Sequence, residues 1–377
     1  MADFVRTVEG KTTFLVPQQS LAAKVPSKTP AFFNPAAKLN RDLSVLAYKA
    51  FTPSLARKTF ADALTGIGAR ALRVAVEVPE MEQIYGNDIN SIAIEQAGQA
   101  AKINSVSDRC HFSIDEVCKF LLHGDSEGER FGIVDLDPFG TPAKHVDCVL
   151  RAVLDGGLVS VTATDTAVLC GIYPEVCLRR YYGRPLNNSY GNETAIRLLL
   201  SLLALTASRL ELAIKPIFVH ATMHYLRVYA SMSVSSSEAN EVYSSIGYVM
   251  HCFQCGHRFM TQEYANPKCE LCGGAMRTGG QLWIGSIQNK EFVKKMLGYD
   301  AERQSKKVLE AAAEEASNIP YYYKADEISA KLRTNPHPVL KVIEKLQSAG
   351  FVASKTALNP GAFKTDARID QILKVLK

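Results

Sequence analysis

No run of about 18 consecutive apolar residues occurs anywhere in the 377-residue chain, so no membrane-spanning helix is expected. The apolar stretch Leu198 to Ala207 is too short to span and reads as a buried helix. The N-terminus carries Asp3, Arg6 and Glu9 and lacks the apolar core of a secretory signal, so nothing argues for export. Internal repeats and low-complexity segments are also missing, which excludes solenoid and fibrous architectures. A strong charge of one sign is absent as well: the formal net charge is only +5. Its distribution is less even. From Lys290 onward there are 16 Lys and Arg against 11 Asp and Glu, so the whole excess sits in the last quarter, as suits a polyanionic partner.

What is present is enough for sizeable cores. Apolar residues make up 47% of the chain, and its length implies two or three domains. Nine cysteines is an odd number, and Cys110, Cys148 and Cys170 stand alone in the sequence. That usage suits a reducing cytosol, with any clustered cysteines binding metal.

Arg6 to Val16 has a hairpin-like pattern around Glu9-Gly10-Lys11. Short apolar runs then alternate with helical stretches such as Ser91 to Ile103. The candidate strands are Thr59 to Leu64, Gln83 to Tyr85, His111 to Ile114, Gly132 to Leu136 and Leu158 to Thr162. This alternation predicts an α/β fold with a parallel, doubly wound sheet. Ile217 to Val219 and Tyr225 to Ser233 read as strands joined by a short turn, an antiparallel edge to that sheet. From Val249 to Gly280 apolar periodicity gives way to four cysteines and five glycines, the texture of a small metal-stapled insert. Ala325 to Leu332 and Pro338 to Ser348 read as helices, the second ended by Gly350. A β-like run from Phe351 and a turn at Asn359-Pro360-Gly361 complete a winged-helix pattern. The expected parts are thus residues 1–248, 249–280 and 281–377.

After the first strand comes Asp62-Ala63-Leu64-Thr65-Gly66-Ile67-Gly68-Ala69-Arg70. Gly66 and Gly68 let the backbone turn sharply and approach a ligand. Asp88 lies about 20 residues on, at the end of the second strand, where an acid can hold ribose hydroxyls. Asp115-Glu116 follows the third strand and could meet an adenine amine. NAD and S-adenosyl-L-methionine both fit these features, because Ala71 supplies the third small residue a dinucleotide site needs.

The fourth strand decides. It ends Asp135-Leu136-Asp137-Pro138-Phe139-Gly140, which resembles the Asp/Asn-Pro-Pro-aromatic motif of amino-methyltransferases. An exocyclic amine is a poor nucleophile because its lone pair is delocalised into the ring. A carboxylate hydrogen-bonded to its N–H pushes density toward nitrogen and can accept the lost proton. The proline stiffens the turn that aims it. Asp135 is a rival, since alternation places it on the same strand face as Asp137. An extruded base needs a replacement stacking surface, and Phe139 with Phe32 or Phe33, more readily Phe32, can supply it.

Together with Phe32-Phe33-Asn34-Pro35, Leu39-Asn40-Arg41-Asp42, Asn87-Asp88-Ile89 and Val161-Thr162-Ala163-Thr164-Asp165, these strings resemble the tRNA (guanine-N2)-dimethyltransferase family, which acts on guanine-26. The likeness runs from near the N-terminus through the C-terminal unit. It implies a class I, Rossmann-like S-adenosyl-L-methionine-dependent methyltransferase domain, with cofactor contacts at Arg41, Arg70, Asp88, Asp115 and Glu116 and the catalytic acid at Asp137. It also implies tRNA as partner and the cytoplasm as compartment; no membrane and no obligatory protein partner are expected. Asp165 is a further acid that could assist. An adenine-N6 methyltransferase of DNA or RNA would use the same motif. A nucleic-acid-binding protein with a vestigial fold would not need the intact Asp137.

Cys252-x2-Cys255 and Cys269-x2-Cys272, each pair followed by glycine, match the spacing of a closed tetrahedral Zn2+ site. With no open position for water its role is structural. His251 and His257 are bystanders. The expected arrangement is a zinc-ribbon insert followed by a winged-helix-like C-terminal domain for tRNA.

Overall fold

The structure, a computed structural model, describes residues 3–377, which fall into two units. The first comprises Met1–Thr162, Tyr229–Val234 and Lys295–Lys306. It opens with the expected hairpin, β1 (Phe4–Glu9) antiparallel to β2 (Thr12–Pro17), turning at Gly10. Next come β3 (Thr59–Asp62), β4 (Gln83–Asn87), β5 (Cys110–Ser113), β6 (Phe131–Leu136) and β7 (Val153–Ala163), and every pairing among them is parallel. β3 and β6 are buried along their whole length, as apolar strands covered on both faces must be. Helices Ala69–Glu77, Ser91–Ile103, Val117–His123 and Val146–Ala152 follow the first four of these strands.

The order β5-β4-β3-β6-β7 reverses direction between β3 and β6. That reversal opens a crevice at the carboxyl ends of the two strands, where ligands of doubly wound sheets bind. β7 begins five residues earlier than its apolar pattern suggests, at Val153. Its glycines explain this: Gly156 is left-handed, and a Cβ on Gly157 would lie 2.7 Å from the Gly132 carbonyl oxygen, so only glycine lets β7 approach β6 there. The register shifts at that point, between Phe131 and Ile133. The seven-stranded sheet is completed by β8 (Leu212–Thr222) and β9 (Tyr225–Val234), in the order β5-β4-β3-β6-β7-β9-β8. Their two-residue connection makes them antiparallel neighbours, as expected, though each strand is longer than its apolar run.

The second unit comprises Ala163–Val228, Ser235–Lys294 and Lys307–Lys377. It holds the long helix Gly191–Ser208, whose burial on nearly every side fits its run of leucines. It also holds a three-stranded sheet of β10 (Ile246–His251) between β11 (Arg258–Thr261) and β12 (Arg277–Trp283). The winged-helix pattern is present: β13 (Tyr323–Lys324), helices Ala325–Leu332 and Val339–Ser348, then the antiparallel hairpin β14 (Ala353–Lys355) and β15 (Ala362–Thr365). Ile328, Val342, Leu346, Phe363 and Ile372 pack one core beneath it. Among the described residues, no helix is long and apolar enough to cross a membrane.

One cysteine reading changes. Cys148 is not isolated: helices Val117–His123 and Val146–Ala152 lie side by side, and Cys148 is disulfide-bonded to Cys118.

Candidate active site and metal centre

Gly66 and Gly68 have φ of 55° and 78°, the left-handed region glycine enters without penalty. A Cβ on Gly68 would come within 3.0 Å of Ala97 and 3.1 Å of Leu72, so the loop is also packed too tightly for a side chain. Asp62 ends β3, buried, and Thr65 Oγ1 donates to its Oδ2 at 3.0 Å. Its Oδ1 is buried with no hydrogen-bond partner among the described residues. Burial, and then the neighbouring Asp135 carboxylate, push the Asp62 carboxyl well above the usual range. A cationic ligand group entering here would satisfy the lone oxygen and reverse that shift.

Asp88 follows β4. Its Oδ2 accepts from the Gly66 N–H at 2.9 Å and its Oδ1 from the Asn90 N–H at 2.9 Å. It therefore fixes the glycine loop, and a carboxylate that accepts one hydrogen bond on each oxygen keeps acceptor capacity for hydroxyls. Asn87, fully buried, was singled out in the sequence only as part of a string. Its amide donates to the Asp115 carbonyl at 3.1 Å and to that of Ala63 at 3.3 Å, and its Oδ1 accepts from Ser113 Oγ and from the Asp115 N–H. One side chain thus ties the ends of β3, β4 and β5. Asp115 pairs with Lys119 at 3.0 Å, and that contact holds its carboxyl below the usual value. Glu116 turns its carboxylate back to cap helix Val117–His123, accepting from the N–H groups of Cys118 and Lys119.

Asp135 and Asp137 separate clearly. Asp135 lies inside β6 with no exposure; Tyr48 Oη donates to its Oδ2, and Tyr48 Oη is also 3.0 Å from Ser160 Oγ. Asp137 lies just past the strand end and its side chain is 20% exposed. Arg70, in the first turn of the helix after Gly68, bridges them: Nη1 is 3.1 Å from Asp135 Oδ1 and Nη2 is 2.6 Å from Asp137 Oδ2. Of the two carboxylates, Asp137 is the one that solvent reaches. Neither the bridging role of Arg70 nor the support from Tyr48 had a signal in the sequence, since both depend on side chains reaching across more than 60 residues.

Arg41 sits apart from that bridge. It pairs with Glu9 at 2.6 and 2.8 Å and donates to the Asn34 carbonyl at 3.0 Å. Burial raises the Glu9 carboxyl, but Arg41 and Arg73 outweigh it and hold it below the usual value. Phe139 is 59% exposed, the ring of Phe32 meets it edge-on with centroids 4.7 Å apart, and Lys28 Nζ stands 4.5 Å from its centroid. The two rings expected to flank a base lie in contact with each other, edge to face. A base held between parallel rings needs about 7 Å, twice the contact distance of about 3.5 Å, so one ring must swing for a sandwich to form. Asp165 lies in the second unit and is engaged there by Tyr181 Oη at 2.6 Å and Arg180 at 3.1 Å.

In the insert, the four sulfurs of Cys252, Cys255, Cys269 and Cys272 all lie within 4.8 Å of one another, with two of the separations 3.5 Å. Sulfurs around tetrahedral zinc at about 2.3 Å stand about 3.8 Å apart, so the donor set fits that ion. Gly256 and Gly273 are left-handed and close matching turns, their N–H groups donating to the carbonyls of Cys252 and Cys269 at 2.8 Å. His257 Nε2 faces Glu270 at 3.4 Å, and neither it nor His251 belongs to the cluster.

A family profile described as N2,N2-dimethylguanosine tRNA methyltransferase matches residues 10–377. A protein of Methanothermobacter thermautotrophicus named tRNA (guanine(26)-N(2))-dimethyltransferase is 36% identical, the alignment covering 98% of this chain and 97% of that protein. One of Aquifex aeolicus, named tRNA (guanine(26)-N(2)/guanine(27)-N(2))-dimethyltransferase, is 31% identical over 98% of this chain and 95% of its own. A solved structure described as Trm1 from Pyrococcus horikoshii in complex with S-adenosyl-L-methionine matches with a TM-score of 0.85 at 27% identity, covering 98% of this chain and 99% of that one.

Proposed function

Because the chain belongs to the N2,N2-dimethylguanosine tRNA methyltransferase family, we propose that it methylates the N2 amine of guanine-26 in tRNA, in two successive transfers from S-adenosyl-L-methionine. The observation that carries this reading is the partly exposed Asp137 carboxylate, held by Arg70 at the crevice between β3 and β6, with the exposed Phe139 two residues on. Asp62, Gly66, Gly68, Arg70, Asp88, Asp115 and Glu116 ring the same strand ends and are the groups assigned to the cofactor. Arg41 is assigned with them through the segment it anchors. S-adenosyl-L-methionine, when bound, supplies an electrophilic methyl group.

Asp137 accepts a hydrogen bond from the guanine N2–H, which localises the nitrogen lone pair, and takes up the proton that the amine must lose. Arg70 fixes the direction of that carboxylate. Phe139 stacks on the extruded base, joined by Phe32 once the rings part. A monomethylated amine retains one N–H, so the same carboxylate serves the second transfer. The insert, residues 249–280, holds Zn2+ through Cys252, Cys255, Cys269 and Cys272 as a structural staple. The C-terminal part, residues 281–377, carries the basic excess and is assigned to tRNA, the methyltransferase part being residues 1–248. The cytoplasm, where tRNA is found, is the assigned compartment.

The test is incubation of unmodified tRNA with protein and cofactor, followed by nucleoside mass spectrometry. N2,N2-dimethylguanosine at position 26, lost when that guanine is replaced by adenine, is the expected result. Methylated adenosine, or methylation indifferent to position 26, would refute it.

A further inference from the structure

Two cysteines outside the zinc-ribbon cluster flank the cofactor loops. Cys118 stands in the first turn of helix Val117–His123, two residues after Glu116. Cys148 stands in helix Val146–Ala152, the helix that follows β6 and the Asp137 turn. They are disulfide-bonded, with Cα atoms 5.4 Å apart. His145, 7% exposed, turns Nδ1 toward this pair, 3.8 Å from Cys118 Sγ and 3.9 Å from Glu116 Oε1. The donor atoms of Cys118, His145 and Cys148 all lie within 4.8 Å of one another.

We propose that, when the disulfide is reduced, Cys118, His145 and Cys148 form a second zinc site, closed by the Glu116 carboxylate. Two thiolates, an imidazole nitrogen and a carboxylate are the ligand types zinc takes in tetrahedral sites. The sulfurs must part to about 3.8 Å to share one ion. Rotation about the two Cα–Cβ bonds is the motion that parts them. Glu116 Oε1 stands 3.9 Å from His145 Nδ1 but outside the cluster of the other three donors, so its side chain must swing inward to close the site. Cys148 and His145 are 5% and 7% exposed while the Glu116 side chain is 58% exposed, so the site is shielded on its histidine side and open at the carboxylate.

The chemistry balances. A dithiol reductant transfers two electrons and two protons to the S–S bond, giving two thiols and the oxidised, cyclic disulfide of the reductant. Zinc then displaces the two thiol protons. An oxidant of the glutathione-disulfide class reverses the step, taking up the two electrons while the zinc ion leaves. Oxidised and metal-bound states exclude each other, because the same two sulfurs make both.

The experiment measures zinc per chain by elemental analysis on the full-length protein, reduced with a dithiol and equilibrated with zinc, then oxidised with glutathione disulfide. The wild type should hold one more zinc per chain when reduced than when oxidised. In Cys118→Ser/Cys148→Ser the count should be the same in both states, and this variant also registers any oxidation of the ribbon cysteines. His145→Asn keeps both cysteines, so it should form the disulfide, seen as the same thiol count, yet fail to gain the extra zinc. An identical zinc content in reduced and oxidised wild type would overturn the proposal. So would an extra zinc that survives both sets of substitutions.

Discussion

Each unit places a cation between two carboxylates, Arg70 in the first and Lys364 in the second, and these two arrangements differ in what they leave accessible. In the first unit Arg70 joins Asp135 to Asp137, and the Asp137 side chain keeps a fifth of its surface in solvent. In the second, Lys364 joins Glu193 to Glu315 at 3.0 and 2.9 Å, and all three side chains are fully buried. Glu193 also takes Arg197 and the N–H groups of Tyr321 and Tyr322, while Glu315 takes Thr356 Oγ1 and the Ala357 N–H. Every oxygen of the buried pair is spent within the fold. The Arg70 bridge leaves one carboxylate at a crevice mouth. The same charge pattern is buried in one place and reaches solvent in the other, and exposure tells them apart.

The comparison breaks most severely at Lys364. Lys364→Met leaves two carboxylates buried without their shared cation, and removing one partner of a buried ion pair costs about 3–5 kcal/mol. Denaturant unfolding should show a loss of that order, and a variant as stable as wild type would contradict the structural assignment. Acid should act on the same group. Burial raises the Glu193 carboxyl, but Lys364 and Arg197 outweigh it and hold it below its ordinary 4.5. A depressed folded value adds stability above the unfolded value, which is lost as pH falls through the folded one. Thermal melting should therefore fall below about pH 4.5 in wild type, and less steeply in Lys364→Met.

Next in size is the metal staple. Cys252→Ser with Cys255→Ser removes two of the four ligands, so the ribbon zinc should be lost and the insert loosened, as seen by elemental analysis and amide hydrogen exchange. Wild-type protein with no zinc at these four thiols would contradict the assignment. Phe139→Ala should cost roughly ten- to a hundred-fold in kcat/KM with little change in melting temperature, since stacking on a base is worth about 1–3 kcal/mol. A loss of stability of several kcal/mol with turnover kept would make the ring core packing instead. The smallest effect is expected from Lys331, Lys341 and Lys345, all exposed. Replacing each with Ala should lower the salt slope of tRNA binding by about one for every phosphate that its ammonium neutralises. An unchanged slope in all three variants would place the tRNA elsewhere. These point changes test the C-terminal part more cleanly than deleting it after Tyr323, which would strip Lys364 from Glu193.

What the sequence makes legible follows from how far the chain must fold back to bring residues together. The four clustered cysteines lie within residues 252–272 and announce themselves by local spacing. Gly66, Gly68, Asp88, Asp115 and Asp137 are readable because each follows a strand, and strand order in a doubly wound sheet brings strand ends together. The Arg70 bridge, the Tyr48 contact to Asp135 and the Cys118–Cys148 bond lack any such rule. They depend on rotamers and on which helices lie side by side. Alternation along β6 could not separate Asp135 from Asp137, because what separates them is where the strand stops: Leu136 is its last residue, so Asp137 turns outward.

The most direct test of that separation is Asp137→Ala, assayed for methyl transfer, cofactor affinity and melting temperature together. Arg70 keeps Asp135 as partner in this variant, so the fold and the cofactor loops should persist. Turnover should fall by about 10²–10⁴-fold, the usual contribution of a positioned proton acceptor, with cofactor affinity and melting temperature close to wild type. Near wild-type turnover would contradict the account and move the catalytic role to another carboxylate.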